Sequence, residues 1–155
     1  EAAIAEITSR LCRTFRVLRL PVLATEQYPE GLGSTIPIVR REIELRHIPA
    51  KTTFSSLRDA QVRTRLEEQG TVSVVVAGIE AHVCVLQTAH ELLAAGFEVH
   101  VPFDAVSSRE RTARDLALRR MEMAGARLTT AETVAYELMR DAKHARFREI
   151  QEIFP

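Results

Sequence analysis

One cysteine lies where a protein could activate a nucleophile. Residues 74–84 read VVVAGIEAHVC, an apolar run that stops at Gly78 and leads to Cys84 near the start of a predicted helix. The unpaired N–H groups and the dipole at a helix N-terminus stabilise an anion. They would favour a thiolate at Cys84, which attacks carbonyl carbon, and they could also stabilise the oxyanion that such an attack creates.

The spacing alone leaves a second interpretation of Cys84 open. Free cysteine is among the residue types most often buried, so Cys84 could equally be a small core residue on a helix. Cys12 lies in the middle of a predicted helix beside Leu11, with no anion-stabilising group near it in the sequence. We therefore predict that Cys12 is structural.

Helices and strands are predicted to alternate along the chain. Apolar residues at three- and four-residue spacing indicate helices, and short β-branched runs indicate strands. Such alternation is typical of right-handed βαβ units, and it predicts an α/β fold with a doubly wound, mostly parallel sheet covered on both faces. The predicted helices cover residues 1–20, 57–69, 82–95, 107–123, 133–139 and 143–154; the predicted strands cover 22–25, 71–78, 97–103 and 126–130, with a weaker extended stretch at 46–54.

Three helix starts are predicted from polar residues. Ser56 is expected to cap the helix that ends at Gly70. Ser107 with Glu110, and Thr129 with Glu132, have the spacing of capping boxes.

A doubly wound sheet also predicts where a ligand binds. Ligands of such folds lie beyond the carboxyl ends of the strands. Three loops of this chain are expected there: residues 24–33, the residues around Lys51, and residues 77–84.

Three stretches of the chain resemble a known family. GIEAHVCVLQTAHELLAAGFEVHVPFDAVSSR is similar to the isochorismatase-like hydrolases, and ATEQYPEGLGST and KTTFSS resemble their subgroup of isochorismatase domain-containing proteins. The stretches follow the order of the family and cover most of residues 21–110. The resemblance implies a three-layer α/β/α sandwich around a six-stranded parallel sheet, and one such domain over residues 1–155.

The resemblance also implies a catalytic site. Members of the family use a Cys–Asp–Lys triad, in which Cys84 would be the nucleophile and Lys51 would stabilise the thiolate and relay a proton. A non-proline cis peptide of the family maps to Ile79–Glu80. The backbone N–H groups of Glu80 and Cys84 would then form the oxyanion hole.

The aspartate of that triad has no counterpart in these residues. In the family it lies on a first strand in the middle of the sheet, whereas this chain begins in what resembles the following helix. Without that strand, two inner edges of the sheet would lack ladder partners. We favour a preceding segment that carries the strand; the alternative is a truncated chain that exchanges a strand with a neighbour or is inactive.

Two acids of the chain could lie near the rim of the predicted sheet. Glu26 follows one predicted strand and Asp104 follows another. Asp104 is expected to cap or brace the turn of sequence DAVSSR, and Glu26 could equally be solvated. Neither is a convincing substitute for the missing aspartate.

The loops around Cys84 are expected to form a pocket for a small substrate. Binding pockets are lined mostly by apolar and aromatic side chains with a few polar groups. The candidates are Gln27, Tyr28, Leu32 and Phe54. Phe54 could instead pack in the core.

Composition excludes several classes of partner. The 155 residues include 21 Lys and Arg and 21 Asp and Glu, so the formal net charge is zero and favours neither nucleic acid nor a membrane surface. Two cysteines suit a reducing cytoplasm. No apolar run approaches the roughly 20 residues of a membrane helix. The resemblance implies a homo-oligomer, a dimer or higher; the C-terminal helix could form its interface or pack on its own domain.

No metal or cofactor is expected. The related nicotinamidases hold a metal through histidines after the second strand, and the corresponding loop TEQYPEGLGST has none. The sequence GLG at 31–33 lacks the third glycine of a dinucleotide fingerprint.

Two functional hypotheses follow. The first is a cysteine hydrolase that acts on a small carbonyl, amide or related substrate through a thioester. The second is a catalytically silent interaction or scaffold protein on the same fold, because the aspartate is missing.

Overall fold

Helices and short strands alternate along the chain in a computed structural model that describes residues 2–155. The helices are α1 Ala2–Val17, α2 Pro29–Leu32, α3 Pro37–Arg40, α4 Ala60–Glu68, α5 Leu86–Ala94, α6 Arg111–Met123, α7 Ala131–Met139 and α8 Phe147–Ile153. The strands are β1 Glu26–Gln27, β2 Ala50–Lys51, β3 Ser73–Val75, β4 Gly78–Ile79, β5 Glu98–Pro102, β6 Val106–Ser107 and β7 Arg127–Thr129. A π-helical turn covers Ala81–Val85, and 3-10 turns cover Ser56–Arg58 and Phe103–Ala105.

All the strand pairs within residues 2–155 are parallel, which confirms the α/β prediction. The larger sheet has the order β3–β5–β7, and β4 pairs with β6 just beyond it. The other pair is β1 with β2, in which Glu26 is opposite Ala50 and Gln27 is opposite Lys51.

The six strands that the resemblance implies do not form one continuous sheet in residues 2–155. No ladder joins the β1–β2 pair to β3 there. The run Val22–Thr25, predicted as a strand, also has no ladder; pairing begins only at Glu26, because β2 is its neighbour there. Val72, just before β3, and Ile79, on β4, are 67% and 64% exposed.

Two apolar clusters hold the helices against the sheet. The first lies between the larger sheet and α5 and α6, and Leu92, Val99 and Met121 are almost completely buried in it. The second joins α1, α7 and α8, where Ile150 and Ile153 are buried. The C-terminal helix therefore packs its apolar face on its own domain.

Two of the three predicted helix starts lie a few residues from the observed ones. Ser56 does not cap α4; the Asp59 carboxylate accepts hydrogen bonds from Gln61 N at 2.9 Å and Val62 N at 3.2 Å. A carboxylate satisfies two of the unpaired N–H groups at once, which a serine at Ser56 is too far away to do. At α7 the cap is Thr130.

The predicted capping box at Ser107 is wrong. Helix α6 begins at Arg111, and Glu110 precedes it without a side-chain cap. Ser107 instead belongs to β6 and pairs with Ile79. The ladder to β4 holds this residue in extended conformation, so the helix starts later than the sequence pattern predicts.

Cys12 is a mostly buried thiol on α1. The nearby Glu42 carboxylate forms an ion pair with Arg16, in which Arg16 Nη2 lies 2.7 Å from Glu42 Oε2. Burial, and then the negative charge of Glu42, raise the pKa of Cys12 to about 11. These surroundings disfavour a thiolate and support the structural role predicted for Cys12.

This raised pKa predicts a pH dependence of stability. A thiol whose pKa is higher in the folded state contributes stability that is complete below about pH 9 and is lost as the pH rises through about 11. We expect the free-energy difference between wild type and Cys12→Ala to narrow by about 2 kcal/mol between pH 8 and pH 11. Urea unfolding of both proteins at the two pH values measures it; a constant difference would contradict the assignment.

Candidate functional site

Cys84 lies in the turn that connects β4 to α5. Gly78 has φ of 118°, a conformation that favours glycine, and the chain then enters the π-helical turn Ala81–Val85. Val85 N donates to Glu80 O at 3.2 Å across this turn. The prediction that Cys84 follows a strand, a glycine and a helix start is confirmed, and so is the cis peptide at Ile79–Glu80.

Lys51 is a buried lysine whose ammonium is fully hydrogen-bonded. Only 7% of the residue is exposed. Its Nζ donates to Gln27 Oε1 at 2.6 Å, to Thr53 O at 3.0 Å and to Phe54 O at 2.8 Å. An ammonium has three protons, so these acceptors account for all of them.

Lys51 and Cys84 influence each other electrostatically. Burial lowers the pKa of Lys51 from its ordinary value, while the charge of Cys84 raises that pKa and offsets part of the effect. The structure thus brings together the two side chains that the resemblance paired.

Gln27 lies between these two side chains. Its Oε1 accepts the bond from Lys51 and also a long contact from Cys84 Sγ at 3.8 Å, and its Nε2 donates to Thr52 O at 2.9 Å. Sequence reasoning placed Gln27 only among the residues of a substrate pocket. The signal that would have found this contact is the register of β1 on β2, which places Gln27 opposite Lys51.

A hydroxyl network connects the Lys51 loop to the Cys84 helix. Thr88 Oγ1 donates to Cys84 O at 2.7 Å and accepts from Ser56 N at 2.9 Å. Ser56 Oγ in turn lies 2.8 Å from Thr25 Oγ1, just before β1. Sequence reasoning did not identify Thr88, although it lies one helical turn after Cys84.

The loop after β6 holds the turn that contains Glu80. Arg109 N donates to Glu80 Oε2 at 3.0 Å, and His82 Nδ1 lies 2.9 Å from Ser108 Oγ. Glu80 Oε2 lies 3.6 Å from the same Nδ1. Ser108 and Glu80 therefore both lie at Nδ1 of His82, whereas a Ser–His–acid relay needs the serine and the acid on opposite ring nitrogens. This cluster braces the turn rather than forming a second triad.

Three predicted wall residues are open to solvent. Tyr28 is 55%, Leu32 72% and Phe54 49% exposed. The alternative that Phe54 packs in the core is wrong, because the backbone of its loop turns inward to bind Lys51 instead. The ring of Tyr28 lies over Gly31, where a Cβ would collide with it.

Neither candidate acid replaces the missing aspartate. The Glu26 carboxylate accepts from Thr35 N at 2.7 Å, and hydrogen bonding from the Thr35 side chain and then from its backbone lowers the pKa of Glu26. Asp104 accepts from Ala131 N at 2.9 Å, so it braces the start of α7. Within residues 2–155, Lys51 forms no salt bridge, and no three His, Cys, Asp or Glu side chains cluster closely enough to hold a metal ion.

Across residues 2–155, none of the helices combines the length and the apolar character that a bilayer crossing requires.

Comparison with known proteins places the chain in a family. The family model of the Isochorismatase domain matches residues 1–133. Isochorismatase domain-containing protein 2 of Danio rerio is 43% identical over 146 residues, which are 94% of this chain and 73% of that protein. Isochorismatase domain-containing protein 1 of Salmo salar is 42% identical over 153 residues, 97% of this chain and 53% of that protein.

The fold matches a solved structure over almost all of the chain. The structure of MAR1 Ribonuclease from Caenorhabditis elegans has a TM-score of 0.93 and 41% sequence identity, and the match covers 98% of this chain and 78% of that chain. The three-layer α/β/α sandwich and the subgroup resemblance are thus confirmed. The chain belongs to the isochorismatase family.

Proposed function

We propose that this chain is a hydrolase in which Cys84 attacks a carbonyl or amide carbon of a small substrate. The observation that carries the proposal is the shared acceptor: Lys51 Nζ and Cys84 Sγ both contact Gln27 Oε1, at 2.6 Å and 3.8 Å. A buried ammonium held beside a thiol is an arrangement that favours the thiolate.

The proposed reaction has two stages. The Cys84 thiolate forms a bond to the carbonyl carbon, and the electron pair moves to the carbonyl oxygen, where the N–H groups of Glu80 and Cys84 stabilise it. Collapse breaks the bond to the leaving group, which takes a proton and departs, and leaves a thioester. Water then attacks the thioester, releases the acid and restores Cys84.

Lys51 and the aspartate of the family triad would transfer the protons in this reaction. Residues 2–155 do not supply that aspartate at this site. Lys51 contributes a positive charge with no carboxylate partner within the described residues. Its lowered pKa brings the ammonium closer to the range where it can exchange a proton during turnover.

Selective labelling tests the nucleophile. We expect iodoacetamide at pH 7 to label Cys84 about tenfold or more faster in the folded protein than in the urea-unfolded protein, because the thiolate and not the thiol reacts. Cys12, whose pKa is raised by folding, should label more slowly in the folded protein. Peptide mass spectrometry separates the two sites, and the chain contains no other cysteine. Equal rates for Cys84 in the folded and unfolded protein would overturn the proposal and favour the catalytically silent alternative.

The matched lysine variants test the electrostatic part. The chain has only two lysines, Lys51 and the exposed Lys143. Lys51→Met is expected to slow the labelling of Cys84 by about tenfold at pH 7, because the thiolate loses its cationic neighbour. Lys143→Met is the control and should leave the rate unchanged; equal effects of both variants would assign the change to net charge.

RNA cleavage is a second candidate. It is favoured by the name of the Caenorhabditis elegans relative, MAR1 Ribonuclease. The zero net charge of this chain argues against tight phosphate-backbone binding. Incubation of the purified protein with labelled RNA decides it: cleavage that persists in Cys84→Ser would support this candidate and separate it from the thiol reaction.

Assembly and location are further parts of the proposal. A homo-oligomer is supported by the exposed apolar side chains of Tyr28, Leu32 and Ile36, which a partner copy could cover. A cytoplasmic location is supported by the two free cysteines. Light scattering of the purified protein measures the oligomeric state.

A further inference from the structure

The side chain of Thr88 is a buried hydroxyl that both donates and accepts a hydrogen bond. Thr88 is 8% exposed and lies on α5, four residues after Cys84. Cys84 O can only accept, so the hydroxyl 2.7 Å from it must donate. Ser56 N can only donate, so the same hydroxyl, at 2.9 Å, must accept. One oxygen atom thus joins the turn of Cys84 to the loop that follows Lys51.

This hydroxyl lies where the two parts of the site share no backbone ladder. In the part of the chain that the structure describes, no ladder joins the β1–β2 pair, which carries Lys51, to β3 or β4. Hydroxyl groups connect the two parts instead. Thr88 Oγ1 binds Ser56 N, and Ser56 Oγ lies 2.8 Å from Thr25 Oγ1, immediately before β1.

The position of Lys51 depends on the loop that Ser56 attaches to α5. Two of the three acceptors of the Lys51 ammonium, Thr53 O at 3.0 Å and Phe54 O at 2.8 Å, belong to that loop. The lysine therefore moves with the loop. Because Ser56 N is bound to Thr88, a displacement at this bond would move the loop relative to the turn that contains Cys84.

We propose that Thr88 is a positioning residue, whose hydroxyl holds the Lys51 loop at a fixed distance from the Cys84 turn. This inference rests on the proposed function, because the distance matters only if Cys84 reacts beside that loop. It requires both hydrogen bonds of one hydroxyl. Serine keeps that hydroxyl, whereas valine has the shape of threonine without a donor or an acceptor.

Hydrogen exchange at the Ser56 amide tests the bond itself. Thr88→Val removes the acceptor of this N–H, so its exchange is expected to become about tenfold faster. Thr88→Ser should keep the rate within about threefold of wild type. NMR of ¹⁵N-labelled protein measures these rates, and the amides of β5 report whether the variants remain folded.

Labelling of Cys84 in the folded protein tests the purpose of the bond. We expect iodoacetamide at pH 7 to react with Cys84 about threefold to tenfold more slowly in Thr88→Val than in wild type, because the loop and the thiol lose their fixed geometry. Thr88→Ser should restore the wild-type rate. A merely structural role would loosen the turn and expose the thiol, so labelling in Thr88→Val would become faster or stay unchanged.

Ser56→Pro removes the same hydrogen bond from the other side. Ser56 is the first residue of a 3-10 turn, a position that tolerates proline, and Ser55 before it has the extended conformation that a following proline favours. This variant leaves the bond from Thr88 to Cys84 O intact. It should slow Cys84 labelling as Thr88→Val does, and it tests the proposal even if Thr88→Val does not fold.

Arg58→Met is the matched control for general loosening of the loop. Arg58 Nε lies 2.7 Å from Glu91 Oε1, so this ion pair also joins the loop to α5. The Arg58 side chain is 62% exposed, and such a surface pair contributes little to stability. Arg58→Met should therefore leave Cys84 labelling close to the wild-type rate; slowing as large as in Thr88→Val would overturn the assignment to Thr88.

The outcomes separate this inference from the proposed function. Ser56 exchange or Cys84 labelling that is the same in Thr88→Val as in wild type would overturn the positioning role. Failure of Thr88→Ser to restore the labelling rate would overturn it too. Wild-type Cys84 that labels no faster in the folded than in the urea-unfolded protein would overturn the proposed function, whatever the exchange rate at Ser56.

Discussion

Replacement of Cys84 by serine is expected to lower the rate of hydrolysis of an activated ester such as p-nitrophenyl acetate by about a thousandfold or more. A serine hydroxyl does not ionise near neutral pH, and within residues 2–155 Cys84 has no hydrogen bond to a histidine that could act as its base. The remaining rate would reflect the oxyanion-stabilising backbone and non-specific hydrolysis. Stopped-flow or plate-reader absorbance of released p-nitrophenol measures it.

Cys12→Ser is the matched control for that experiment. It removes the same sulfur from a site where burial and Glu42 disfavour the thiolate. Its turnover should equal that of wild type. If Cys84→Ser retained most of the activity, or if Cys12→Ser lost as much, the thiol of Cys84 would not be the nucleophile.

Replacement of Leu92 by alanine is expected to lower the free energy of unfolding by about 3 kcal/mol. Leu92 is 2% exposed and lies on α5 in the cluster that packs against the larger sheet. Removing its side chain loses apolar burial and leaves a cavity, because α5 is also held by the Thr88 bonds and cannot simply move inward.

Urea unfolding followed by circular dichroism measures this loss against Leu116→Ala. Leu116 lies on α6 and is 60% exposed, so the same substitution there should change stability by less than about 0.5 kcal/mol. Comparable losses at the two positions would contradict the assignment of Leu92 to the core. The Leu92→Ala substitution should leave Cys84 in place, because the Leu92 side chain packs in that cluster and not against the site loops.

The residues that could be predicted from the sequence are those whose signal is local or shared with a family. The strand, glycine and helix start around Cys84 follow from a continuous apolar run and one glycine. Lys51 was identified only through the resemblance, since a single lysine in a loop is otherwise usually solvated. The fold class followed from the alternation of elements, and parallel ladders confirm it.

What could not be predicted depends on contacts between distant segments. Gln27 meets Lys51 because β1 and β2 pair in one particular register, and Thr88 meets Ser56 across 32 positions of sequence. Ser107 has the spacing of a helix cap, but its pairing with Ile79 decides its conformation. A local sequence pattern cannot show whether such a residue caps a helix or pairs in a strand.

The ladder of β1 on β2 also bears on which insertions and deletions the chain can accept. Alternate residues of a strand face opposite sides, so a slip of one position would place Glu26 or Ala50 where Gln27 or Lys51 now stands. The connecting segment between the two strands can change in length only where it leaves this register and the packing of Val39, Ile43 and Ile48 unchanged. A single residue added inside β1 would change which side chain meets Cys84, and one added inside β2 would change which side chain meets Gln27.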